Sequence, residues 1–289
     1  MIGVPGTDGS LHATPVRKAR SRSLVVPREH GAWGILLIPL FAGACGGLIS
    51  GGGGRGLMPL LLVTLSLFWL RTPVESWVGT APIRARTPGE FRVVRTAVFL
   101  LSAASSAGLI WLFWGGRNRA LIWMGCAAGI AFLAQSAVKW IWPKKRTAAQ
   151  MVGAVGLTST AAAAYFVVTG RLGTMAWSLW AANLLFALNQ IQFVQLRVRA
   201  ARAESRRQKL KTGRGFLAGQ ALLMTVILAA CAAGAFPRYA ALAFLPILIR
   251  GFAWFAAQPK PLAIHALGKS ELLYACVFGV LLVIGMRFA

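Results

Sequence analysis

Long apolar stretches follow one another along almost the whole chain, and no other feature constrains the fold as much. A helix crossing a bilayer core needs about 20 predominantly apolar residues, because in hydrocarbon the backbone must satisfy its own hydrogen bonds. Nine stretches reach or approach that length, at approximately 31–50, 56–71, 94–115, 119–142, 149–169, 174–195, 215–236, 239–256 and 271–288. They predict an all-α fold, a polytopic transmembrane helix bundle. Charged residues make up 13% of the chain, against about a quarter in soluble domains. Residues 1–24 are predicted to be a disordered basic tail and residues 25–289 a single transmembrane domain. No cleavable signal peptide is expected, because the first apolar run is long enough to span.

The net charge of +25 comes from 31 Lys and Arg against 6 Asp and Glu. In a soluble protein such an excess would point to nucleic acid. Here the basic residues lie between spans, so topology and anionic lipid explain them and no nucleic-acid partner is expected. With the N-terminus inside, 25 basic residues fall on inside segments and 6 outside. That split predicts a cytoplasmic N-terminus and an outside C-terminus in a bacterial inner (plasma) membrane. The inside connections 72–93, 196–214 and 257–270 are long and the outside turns short, which places the working face on the cytoplasmic side.

Polar and ionisable groups inside spans are costly and point to function by default. Five places carry them. Arg28, Glu29 and His30 meet the first span with Trp33 just inside it. They read either as an interfacial anchor or as an acid/base pair, since His titrates near neutrality. Arg71 and Glu75 are four apart at the inner end of the second span, with Pro73 arguing for a helix break between them. Gln135 and Lys139 share a face of the fourth span.

The sixth span is the most informative. Asn183, Gln190 and Arg197 recur every seven residues, flanked by Asn189 and Gln192. This polar stripe reads either as interhelical hydrogen bonding or as the wall of a binding cavity. Beyond it, Arg199, Arg202, Arg206 and Lys209 are spaced as one basic helical face, suited to headgroups or to a phosphate. The fifth place is Lys269, Ser270 and Glu271. Ser270 is a candidate N-cap there, which would set Glu271 at the mouth of the last span as Glu29 stands at the first.

Other chemistry lacks its residues. The only aspartate is Asp8 in the tail, so no carboxylate cluster is present to hold Mg²⁺ and no metal or other cofactor is expected. Cys45, Cys126, Cys231 and Cys276 sit singly in apolar stretches and read as small packing residues.

The opening Pro27-Arg28-Glu29-His30-Gly31-Ala32-Trp33 resembles the signature of the YwiC-like family of bacterial membrane proteins. Arg71 with Pro73 and Gly268 with Glu271 fit the same pattern. A wider likeness is architectural. Nine helices with elaborated inside loops after spans two and six are similar to the intramembrane prenyltransferases of the UbiA superfamily. Those enzymes carry aspartate-rich, Mg²⁺-binding motifs at these two places. Here Asn189, Gln190, Gln192 and Gln195 stand at the second, and Arg71 to Glu75 at the first. The resemblance implies a UbiA-like arrangement without its metal site.

Together these readings give a protein whose cytoplasmic-side polar cavity binds, and in its fuller form modifies, an isoprenoid or lipid with an anionic head. Arg28, Trp33, Arg71, Gln135, Lys139, Asn183, Asn189, Gln190, Arg197 and Arg199 would bind the substrate, and Glu29, His30 and Glu271 would move protons. The alternatives are a small-solute or ion transporter using the same stripe, and a non-enzymatic membrane partner of an assembly.

Overall fold

A computed structural model describes residues 20, 22–26, 30–79, 81, 83–114, 116, 118–142, 144–203, 205–258 and 262–288, with the backbone alone at 30, 118 and 119. Among these residues there are helices and no strands. The helices are α1 (His30–Ile49), α2 (Leu57–Val78), α3 (Pro88–Trp114), α4 (Asn118–Ile141), α5 (Arg146–Thr158), α6 (Thr160–Thr169), α7 (Thr174–Arg199), α8 (Arg206–Ala232), the single turn α9 (Arg238–Ala241), α10 (Leu245–Ala256) and α11 (Ile264–Arg287). Eight helical stretches are long and apolar enough to cross a membrane. The chain is therefore an all-α polytopic helix bundle. The sixth expected span, α7, has 26 residues, enough to cross, but its amides and terminal arginines leave it outside the apolar set.

Helix boundaries differ from the expected spans where sequence punctuation misled. Pro73 does not break α2, which runs on to Val78, and Arg71 Nε lies 3.0 Å from Glu75 Oε1 one turn along. The stretch 149–169 is two helices. Thr158, Ser159 and Thr160 each donate a hydroxyl to a carbonyl three or four residues back, a pattern that bends helices. The long connection expected over 196–214 shrinks to six residues, because α7 reaches Arg199 and α8 starts at Arg206. Ser205 caps α8, its hydroxyl accepting from the Gln208 amide. Arg199, Arg202, Arg206 and Lys209 are therefore not one helical face.

The chain packs as two compact units. In the unit that holds most of α2 and all of α3, residues 22–26 are part of the fold. Leu24, expected in the tail, is fully buried with Ala85 and Val94. Trp69 Nε1 donates to the Val25 carbonyl and Ser76 Oγ to that of Leu24. Arg20 Nε lies 2.6 Å from Glu90 Oε1.

The other unit holds α1 and everything from α4 onward. Small residues let its backbones meet, as expected where lipid gives helices no hydrophobic reason to associate. A Cβ on Gly43 would lie 2.0 Å from the Ala161 carbonyl oxygen, so α1 and α6 touch backbone to backbone. Gly285 likewise brings α11 close to the backbone of α9 at Ala240. Phe278 of α11 stacks on Phe186 of α7 at 4.2 Å between ring centres, and Phe244 meets it edge-on. This core fixes α7 against α11, and α10 follows directly from Phe244. The cysteines contribute less to packing than expected, since Cys126 and Cys276 are exposed.

Candidate functional site

The α7–α11 contact carries a buried polar centre. Arg250 is the sixth residue of α10 and Glu271 the eighth of α11. Their side chains are 7% and 8% exposed, and Arg250 Nη1 lies 2.5 Å from Glu271 Oε2. Charges this deep in a helix bundle survive only when paired and hydrogen-bonded. Two amides of α7 supply the hydrogen bonds. Arg250 Nη2 donates to Asn189 Oδ1 at 3.4 Å, and Gln190 Nε2 donates to the Glu271 backbone carbonyl at 2.9 Å. Two rings attend the guanidinium, with Phe193 4.1 Å and Tyr274 4.7 Å from its carbon to the ring centres. Both distances are within cation–π range.

The centre is not saturated. Among the described residues, Arg250 Nε and Glu271 Oε1 are buried without a hydrogen-bond partner. Gln220 of α8 is fully buried with neither end of its amide bonded, and it lies against Gly251, next to Arg250. Each such group carries a desolvation cost of about 1–3 kcal/mol when left unmade.

Through Phe193 the centre adjoins a basic end of the unit. Phe193, Leu196, Phe216 and Leu267, with Trp254 and Phe255 packed against them, join the end of α7, the first half of α8, the end of α10 and the start of α11. Arg197 is half-buried there, its guanidinium carbon 6.0 Å from the same Phe193 ring, and it makes no ion pair among the described residues. Lys209 is not a headgroup lysine as expected. It is buried, and its Nζ donates to the carbonyls of Trp254 and Ala257, at 2.5 and 2.8 Å, capping the end of α10.

The structure brings together Asn189, Gln190, Arg197 and Glu271 of the expected residues. Asn183 lies higher on α7, buried, its Nδ2 donating to the Leu179 carbonyl and its Oδ1 unpartnered. Arg199 turns to α5, with Nη2 3.5 Å from Thr147 Oγ1. Gln135 packs on Gly153 of α5, and Lys139 is exposed. Trp33 is half-buried on α1. Arg71 belongs to the other unit, beside Glu75. Arg28 and Glu29 lie outside the described residues, as does the side chain of His30.

Two expectations about Glu271 need correction. Ser270 is not an N-cap, because α11 begins at Ile264 and the Ser270 hydroxyl donates back to Leu267. Glu271 therefore lies two turns inside its helix rather than at its mouth. Its partner, Arg250, was missed because it reads as a loop arginine of the positive-inside count. The usable signal was its place within the apolar stretch 239–256. Without it the split is 24 against 6, still strongly one-sided.

No curated protein and no solved structure matches the chain. A family model described as YwiC-like protein matches residues 26–165. The match takes in the Pro27 to Trp33 opening and ends before α7, so the Arg250–Glu271 centre lies beyond it. Through residues 26–165 this multi-pass helical chain is similar to the YwiC-like family.

Proposed function

We propose that the α7–α10–α11 centre binds the anionic head of a lipid-class ligand, an isoprenoid or a phospholipid, entering from the arginine-rich end of α7. The observation that carries this reading is the unsaturated buried centre: Arg250 Nε and the Gln220 amide are donors without partners, and Arg197 shares the Phe193 ring with Arg250. In this reading Arg197 meets the head first. Glu271 holds Arg250 in place, and Asn189 and Gln190 fix the pair. In this reading that end faces the cytoplasmic side of a bacterial inner membrane, which the distribution of basic residues supports.

The test is native mass spectrometry with lipidomics on the detergent-purified protein, wild type beside Arg197→Gln. The expected result is one defined anionic lipid on the wild type. Its occupancy should fall about tenfold or more in the variant, the order set by losing a hydrogen bond to a charged group at about 1.5–3 kcal/mol. The absence of any selective lipid on the wild type overturns the reading.

A second reading, transport of a small solute or ion, is favoured by Asn183. Its buried, unpartnered oxygen continues the polar line of α7 away from the basic end. Flux into proteoliposomes that is abolished by Asn183→Leu would select it.

A further inference from the structure

The other unit carries an open cleft of about 900 Å³ that is unrelated to the α7 centre. It lies along the first half of α3 and under the end of α2. Its lining includes Trp77, Phe91, Arg92, Arg95, Phe99 and Ser102. On α3, positions 91, 92, 95, 99 and 102 recur at helical spacing and form one stripe. Its first half holds two arginines, and its later part is carried by Phe99, which is 72% exposed.

Among the described residues, no carboxylate lines the cleft. Among the described residues of this unit, the two acids are already engaged, Glu75 by Arg71 and Glu90 by Arg20. Arg92 and Arg95 are exposed, and among the described residues neither forms an ion pair. The cleft thus joins two uncompensated guanidinium groups to an exposed aromatic track on a helix apolar enough to span the membrane. Arginine forks suit phosphate oxygens, and Trp77 stands where an interfacial aromatic belt would.

We propose that this cleft seats one anionic phospholipid, its phosphate on Arg92 and Arg95 and an acyl chain along Phe91 and Phe99. The charge complementarity selects an anionic over a zwitterionic headgroup, and the aromatic track selects a lipid over a free phosphate.

The test uses the full chain in nanodiscs of phosphatidylcholine with a minor fraction of phosphatidylglycerol, followed by release into detergent and native mass spectrometry. Three proteins are compared: wild type, Arg92→Gln/Arg95→Gln, and Arg84→Gln/Arg86→Gln. The last removes the same charge from exposed residues outside the cleft. Wild type and the Arg84/Arg86 variant should retain phosphatidylglycerol. The Arg92/Arg95 variant should lose it by about thirtyfold, from about 1 kcal/mol per basic residue at an anionic surface. Equal losses in both variants, or no preference for phosphatidylglycerol in the wild type, would overturn the proposal. So would displacement of the lipid by glycerol phosphate, which has no acyl chain. Arg92→Lys/Arg95→Lys, which keeps the charge, should bind at an intermediate level if the fork geometry matters, and its binding nothing while folded would also count against a charge-selected seat. Because these residues lie outside the α7 centre, failure here leaves the proposed function untouched.

Discussion

Arg250 and Glu271, 21 residues apart in sequence, form an ion pair buried between α10 and α11, with Nη1 2.5 Å from Oε2. The amides hydrogen-bonded to them, Asn189 and Gln190, come from α7, so three helices are tied at one level of the bundle. Removing one partner leaves the other charged and unpaired, which costs about 3–5 kcal/mol. Arg250→Leu and Glu271→Leu should each lower the thermal midpoint markedly in detergent. The reversed pair Arg250→Glu/Glu271→Arg should recover part of the loss. A double-mutant cycle on the midpoints checks this.

The amides of α7 should matter less than the charges. Gln190→Leu removes one hydrogen bond to the Glu271 carbonyl, and Asn189→Leu removes a longer one to Arg250. Interhelical bonds in membranes contribute about 0.6–2 kcal/mol each. Each variant should fold with a small loss of stability, Gln190→Leu losing more, as read by unfolding in increasing denaturing detergent.

Gly43 tests the close approach of α1 to α6. A methyl group there would overlap the Ala161 carbonyl oxygen, which is backbone and cannot rotate away. Gly43→Ala should destabilise by about 1–3 kcal/mol or more. Gly31→Ala, with nothing within 4 Å of its added carbon, is the control on the same helix.

Lys209 tests whether a basic residue of the α7–α8 region serves the fold rather than a headgroup. Lys209→Met keeps much of the side-chain volume but removes the donor to Trp254 and Ala257. Hydrogen exchange should rise at the end of α10 and stay unchanged in α1, and stability should fall by about 1–3 kcal/mol.

Much of this molecule is legible in its residues. The apolar runs place most helices because spanning length is a local property. The amides of α7 declare themselves because five of them in one apolar stretch have no place against lipid. Arg250 does not, because an arginine near the end of a short span looks the same whether it faces headgroups or a partner. Only the long-range contact with Glu271 decides. Pro73 and Ser270 mislead for a related reason. Each has a strong local preference for helix ends, and packing overrode it in α2 and α11. Arg199 shares α7 with the amides of the centre, yet helical rotation turns it toward α5, on which Gln135 of α4 also packs.

The most direct test of the central claim replaces both charges at once. A buried ion pair exchanged for apolar residues of similar size is often neutral or stabilising by about 1–4 kcal/mol, so Arg250→Met/Glu271→Leu should still fold. Its retained lipids are then measured by native mass spectrometry beside those of the wild type. If the centre binds an anionic head, the double variant keeps a thermal midpoint near wild type and loses the selectively bound lipid. If the folded double variant retains the same lipid at the same occupancy, the pair only packs helices and the claim is contradicted.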